Sequence, residues 1–223
     1  IVLGVSIWFA FSRKIMPDTF SVSLVIIGLY FAYNFLKSGK KSSLILFFIF
    51  CTIGMLCKIP ALSLFSVLTI IIFIREIDFG RKIVLSIVGI MCFLPVCIWY
   101  FYWVPHLLDT YHYQLYFPQA IVEGIHEISP LVPELLEKFY FSALRSYIAF
   151  ACAIVGLVLL IRSKSKYVLA SIGIVTLVFI VFILKTGAVF PLHNYYIIPF
   201  VPIMALLAGY AIAPIPLRFQ YVV

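Results

Sequence analysis

Apolar residues run along this chain in long unbroken blocks separated by short polar knots; they do not alternate with polar ones. Blocks of that kind read as helices surrounded by lipid, because a barrel strand would alternate lipid-facing and lumen-facing residues. One partial block (1–12) is followed by seven whole ones: 20–36, 43–57, 59–74, 83–103, 143–161, 167–184 and 195–213. Each is read as a membrane span, although several fall short of the ~20 residues a span usually needs. Backbone polar groups in lipid must pair within their own segment, which a helix achieves. The pattern predicts an all-α, polytopic transmembrane helical bundle forming one transmembrane domain over 1–223. Between 83–103 and 143–161 lies a longer segment, 104–142, where Ser129-Pro130 and Pro133-Glu134 mark the starts of short helices.

The stretch 43–74 carries one charge, Lys58, in 32 residues. As a single helix it would measure about 48 Å at 1.5 Å per residue, against a hydrocarbon core of about 30 Å. Lys40 and Lys41 precede it and Arg75 follows it. A hairpin satisfies all of this: two arms, both basic ends on one side, and Lys58-Ile59-Pro60 at the opposite tip. Proline suits the first turn of the returning arm, where no N–H is required.

Composition sharpens the picture. The chain of 223 residues is 65% hydrophobic and 11% charged, where a soluble domain carries about 25% charged residues. Its net charge of +8 would suit nucleic acid in a soluble protein. Here the basic residues sit in knots between apolar blocks, which points to membrane orientation and headgroup contact instead. With alternating spans, ten basic residues, including Lys37, Lys40, Lys41, Arg75 and Arg81, fall on one side and six on the other. The richer side is expected to be cytoplasmic. Six of the eight acidic residues fall on the other side, the outer face, as do loop 13–19, the Lys58 tip, segment 104–142 and loop 185–194. The five cysteines all lie inside apolar blocks and read as small packing residues. The chain opens at Ile1, without methionine, inside an apolar stretch, so a piece of a longer protein is expected.

Candidate chemistry gathers on the outer face. Asp18, at the start of a span after Pro17, reads as a helix N-cap or as a carboxylate facing a cavity, holding a metal or a sugar group. Lys58 reads as a snorkelling tip lysine or as the cation for a specific phosphate. His193-Asn194-Tyr195-Tyr196 precedes the last span; interfacial tyrosines are ordinary, while His beside Asn offers donors to a phosphate or sugar oxygen. His106, Asp109, His112, Glu123, His126 and Glu127 have no metal-ligand spacing and read as a solvated loop.

Three segments in order resemble the multi-span glycosyltransferases of the GT-C class, in the superfamily of protein O-mannosyltransferases and aminoarabinose transferases. Arg13 to Phe20, containing Met16-Pro17-Asp18-Thr19-Phe20, is similar to the family's acidic outer-loop motif. Gly54-Met55-Leu56-Cys57-Lys58-Ile59-Pro60-Ala61 resembles its Gly-to-Lys-x-Pro hairpin. His193-Asn194-Tyr195-Tyr196, followed by Ile197 to Pro202, resembles the late His-x-Tyr-Tyr motif of bacterial members. The resemblance implies transfer of a sugar from a polyprenyl-phosphate donor to a lipid, glycan or protein acceptor at the outer face of a bacterial cytoplasmic membrane. It implies a general-base Asp in a first outer loop that would precede Ile1, so the fragment alone is expected to be inactive. Asp18, Lys58, His193, Tyr195 and Tyr196 are the expected substrate-binding residues. A divalent cation at Asp18 is the one cofactor the reading admits, and nucleic acid is excluded as a partner. The alternative is a transporter or flippase of a lipid-linked or small polar substrate. Such proteins place ionisable groups and broken helices near the midplane, whereas the charges here cluster at span ends.

Overall fold

The computed structural model describes residues 4, 6–14, 16–112 and 120–214. Every regular element among them is helical, as the apolar blocks predict. In chain order the principal helices are α1 (Ile7–Ser12), α2 (Pro17–Ser38), α3 (Lys41–Cys57), α4 (Phe79–Tyr111), α5 (Ile121–Ile128), α6 (Val132–Glu137), α7 (Tyr147–Arg162), α8 (Lys166–Thr186) and α9 (Val201–Ile212). They form two compact units, one of Phe20–Pro118 and one of Ile1–Thr19 with Gln119–Val223.

Among the described residues four helices are long and apolar enough to cross a bilayer: α2, α4, α8 and Asn194–Ile212, which ends in α9. A fifth appears if Ile121–Ser142 and α7, bent by 90° at their junction, count as one broken span. The expectation of seven complete spans is therefore met by length and composition in four or five. α3 and Ile59–Ile71 are apolar but shorter. Large apolar side chains such as Ile90, Leu94 and Ile154 stand exposed along these helices, as expected where lipid is the solvent. The chain is an integral membrane protein.

In the unit 20–118, and in the first turn of α2 that leads into it, local chemistry sets each helix end. α2 carries Asp18 in its first turn and Lys37 in its last, each opposite in sign to the helix dipole there. Gly39 ends it at φ +71°, a conformation that costs glycine little, and its N–H donates to the Phe35 carbonyl at 2.7 Å. α3 ends at Lys58, whose backbone is extended (φ −159°), and Pro60 falls in the first turn of the next helical segment. Two observations show that the chain reverses there. Phe65 stacks on Phe47 with centroids 6.1 Å apart, although 18 residues of continuous helix would separate them by about 27 Å. The Arg81 guanidinium donates to the carbonyls of Leu36 and Lys37 at 2.9 and 3.0 Å. The chain that leaves at Lys41 is thus back at its starting level by Arg81, and the hairpin expected from Lys58 is present. Its returning arm is broken into Leu62–Phe65 and Leu68–Ile71, with the Ser63 and Thr69 hydroxyls bonded to nearby backbone carbonyls; such bonding competes with regular helix.

α2 and α3 pack closely through small residues, the usual device in lipid. A Cβ on Gly28 would collide with the Cys51 sulfur, and one on Gly54 would lie 2.9 Å from the Ser21 carbonyl. α4 differs most from expectation. The block ends at Trp103 in the sequence pattern, yet the helix runs 33 residues to Tyr111, and segment 104–142 opens as its continuation. A π turn over Ile98–Trp103 precedes Pro105, in the first turn of the final stretch. Widening the helix there admits a residue with no N–H to offer. His112, at φ +54°, ends it.

In the unit 1–19 with 119–223, α7 lies on α9 and α5 on α8, again with glycines at the crossings. A Cβ on Gly156 would overlap the Leu207 carbonyl, and one on Gly124 the Leu184 carbonyl. The expected span 143–161 starts later, at Tyr147, because Arg145 adopts φ +52° and the Ser146 hydroxyl caps the helix by accepting from the Ala149 N–H. The short helices expected at Ser129-Pro130 and Pro133-Glu134 are Ser129–Leu131 and α6. Tyr113, Tyr116 and Phe117 lie outside the described residues.

Candidate functional site

His193 has an extended backbone (φ −120°, ψ 116°) between the short helix Val189–Leu192 and the 3-10 helix Asn194–Phe200. Pro199 lies inside that 3-10 segment and Pro202 in the first turn of α9. Two missing N–H donors explain why the α-helix starts only at Val201. The tight turn brings the three rings of the motif together. His193 stacks on Tyr195 at 5.2 Å and meets Tyr196 edge-on at 5.7 Å, while the two tyrosines lie 4.7 Å apart. Tyr196 is backed by Phe190 and Phe182. Tyr195 lies 6.1 Å from Phe11 of α1, over which the Lys14 ammonium sits at 4.3 Å, a cation–π arrangement. His193 and Asn194 are exposed, and both tyrosines are half-buried.

A group that the linear reading passed over completes the cluster. Lys138 sits in a π turn, Lys138–Ser142, and is 8% exposed. Its ammonium donates to the Asn194 side-chain carbonyl and lies 3.5 Å from the Glu137 carboxylate. Glu137 in turn accepts the Ser142 hydroxyl at 2.9 and 3.0 Å. The Ile7 N–H donates to the Ala143 carbonyl at 3.1 Å, tying α1 to the end of the same turn. Three stretches far apart in sequence thus converge on one exposed imidazole and two phenols. π turns recur at functional sites in helical proteins, and a buried ammonium held by a carboxylate and an amide is a fixed charge rather than a floppy one.

Asp18 is 1% exposed, in the first turn of α2, and belongs to this same unit. Lys58 belongs to the other. There its carbonyl accepts from the Ser21 hydroxyl at 3.1 Å and the Ala61 N–H at 3.2 Å, and its own N–H donates to the Gly54 carbonyl. The Ser21 hydroxyl also reaches the Gly54 carbonyl at 2.7 Å. The backbone carrying Lys58 is therefore held on both sides of the residue. Glu127, expected in a solvated loop, instead accepts the Ala188 N–H at 2.9 Å and fixes the approach to Val189–Leu192. Among the described residues no three His, Cys, Asp or Glu side chains group as metal ligands.

Residues 1–99 match the family model described as dolichyl-phosphate-mannose-protein mannosyltransferase. Over that part the chain is similar to membrane glycosyltransferases of the mannosyltransferase type. The matched region contains the Arg13–Phe20 segment and the Lys58 hairpin, two of the three segments that carry the resemblance. His193-Asn194-Tyr195-Tyr196 lies beyond it. No curated protein and no solved structure matches the chain.

Proposed function

We propose that the full-length protein moves a sugar from a polyprenyl-phosphate donor to a lipid, glycan or protein acceptor at the outer face of a bacterial cytoplasmic membrane. The observation that carries this reading is the family match over 1–99, which takes in both Asp18 and Lys58. In this reading the expected seven spans hold, with α3 and the return arm crossing as a short pair and the Lys58 tip facing outward. The donor's lipid tail lies among the helices, and its phosphate and sugar lie in the interface.

The acceptor oxygen bonds to the anomeric carbon, the bond from that carbon to the phosphate oxygen breaks, and polyprenyl phosphate leaves with the electron pair. The acceptor's proton passes to a general base, which the resemblance puts ahead of Ile1. Negative charge grows on the departing phosphate, and donors fixed in advance lower that barrier most. Lys58 is the proposed cation for this charge, and His193, in the other unit, is a proposed donor to a phosphate or sugar oxygen. Tyr195 and Tyr196 pack against the sugar, and Asp18 orients the acceptor. Lys138 holds Asn194, and through it the backbone that presents His193.

The test is transfer from radiolabelled polyprenyl-phosphate sugars by the full-length protein in membranes, with Lys58→Ala alongside. Loss of one such donor is expected to slow transfer by roughly 10²–10³-fold. Wild-type rates in Lys58→Ala would remove the phosphate role. Absence of transfer from every donor, with folded protein, would favour the transporter or flippase.

A further inference from the structure

The segment that holds α5 and α6 carries Glu123, Glu127, Glu134, Glu137 and Lys138, a charge load that lipid does not accept at mid-depth. It also carries a row of exposed apolar side chains. Ile121, Val122 and Ile125 of α5, with Val132 and Leu136 of α6, are between 42% and 65% exposed. At 3.6 residues per turn Ile121, Ile125 and Val122 fall within an arc of about 100°. Exposed His126 and Glu123 stand beside that arc, while Gly124 and Ile128 are buried on the remaining side. An exposed apolar stripe next to a polar one marks a helix that lies in a membrane surface.

Two observations put the stripe at that level. α8 has 21 residues, about 31 Å at 1.5 Å per residue, which matches a hydrocarbon core of about 30 Å. Gly124 meets α8 at the Leu184 carbonyl, two residues short of the helix end at Thr186. α5 therefore crosses α8 where α8 leaves the hydrocarbon. The second observation is the 90° bend between Ile121–Ser142 and α7: with α7 crossing the bilayer, a segment at right angles to it runs in the membrane plane. Tyr140, Phe141 and Tyr147 stand exposed at that junction, with the Tyr147 ring 6.1 and 4.9 Å from the other two. Tyrosines gather at the membrane–water interface.

The same segment is fastened at two points to the loop that carries His193. Glu127 accepts the Ala188 N–H ahead of Val189–Leu192, and the Lys138 ammonium donates to the Asn194 side-chain carbonyl. We propose that α5 and α6 lie flat in the leaflet at the Thr186 end of α8, with Ile121, Val122, Ile125 and Leu136 among the acyl chains, and that this seating sets the depth of the His193 loop. At that level the surroundings are lipid, so acyl chains rather than a soluble protein cover the stripe. Neither the stripe nor its fastenings depend on the sugar-transfer reading.

Spin labels on single cysteines test the seating, in the full-length protein freed of the five native cysteines and reconstituted in vesicles of phosphatidylcholine and phosphatidylglycerol. Labels at Val122→Cys, Ile125→Cys and Leu136→Cys should be relaxed by oxygen, which concentrates in lipid, and little by a water-soluble nickel chelate, at about 5–10 Å into the headgroup and acyl boundary. Labels at His126→Cys and Glu134→Cys should show the reverse. Nickel access at all five positions would put the helices in water, and oxygen access at all five would make the segment part of a broken span. Shielding of Ile125→Cys and Leu136→Cys from both reagents would put a protein on the stripe. Each of these three outcomes overturns the proposal. Val122→Gln with Ile125→Gln weakens the seating without removing a core contact, since both side chains are exposed. A label at Leu192→Cys should then shift toward nickel access, and an unchanged label would overturn the link to the His193 loop. If the cysteine-free protein fails to fold, a lipid with a photoreactive group high on its acyl chain tests the native one. Labelling within 121–136 is expected; labelling of α7 and α8 without that segment would overturn the seating.

Discussion

Lys138 shows how a side chain of the candidate site can be invisible along the chain and plain in space. Its amide partner, Asn194, is 56 residues away, so nothing in the Lys-Phe-Tyr-Phe string marks it, and only the π turn around it sets it apart. Lys58 is the opposite case: one charge in 32 apolar residues is legible without a structure, because lipid makes a stray charge conspicuous. Lys138→Met keeps the length of the side chain and removes the ammonium, stranding the Asn194 carbonyl and the Glu137 carboxylate. With Glu137 about one-third exposed, the expected loss is about 1–3 kcal/mol. For a chain of this size that lowers the unfolding midpoint by about 2–4 °C per kcal/mol, read by thermal unfolding of purified protein. A midpoint equal to wild type would show that the pair holds nothing in place. His193, Tyr195 and Tyr196 were adjacent in the string, but the ring stack depends on Pro199 and Pro202 delaying the α-helix.

Helix ends were legible where a local signal set them and illegible where a neighbour did. Pro17 and Pro60 stand at helix starts, where the sequence places them. The run of α4 past Trp103 was hidden because Pro105 reads as a break, and a π turn absorbs it. The glycine crossings offer a direct test of packing between helices. Gly156→Ala puts a methyl into the Leu207 carbonyl, a backbone atom that cannot swing aside, and overpacking of that kind costs about 1–3 kcal/mol. Gly173→Ala, on an exposed stretch of α8 with nothing within 4 Å of the new methyl, should instead stabilise by up to about 1 kcal/mol through helix propensity. Unfolding of the two variants by denaturing detergent should move in opposite directions. Stabilisation by both would mean that α7 and α9 separate enough to accept the methyl.

For the whole molecule, the helical class and the membrane setting followed from the unbroken apolar blocks, because lipid leaves the backbone little choice. The number of crossings did not follow, since α3 and its return arm are each shorter than a standard span. Labelling single cysteines in a background lacking the native five resolves this. Lys40→Cys and Arg75→Cys should react with an impermeant thiol reagent from one side of the membrane, and Lys58→Cys from the other. Reaction of all three from one side would make the hairpin a re-entrant loop, removing two crossings and leaving the orientation of every later helix unchanged.

The Arg81 clasp has a consequence for how the protein is made. The carbonyls it caps belong to residues 44 and 45 positions earlier. At a synthesis rate of about 5–20 residues per second, that gap lasts about 2–9 s. During that interval α3 and its return arm are made while the end of α2 is still unsealed. The insertion machinery must shelter a half-built hairpin until the start of α4 arrives to lock it, so the order of assembly in this unit is set by the last helix to appear.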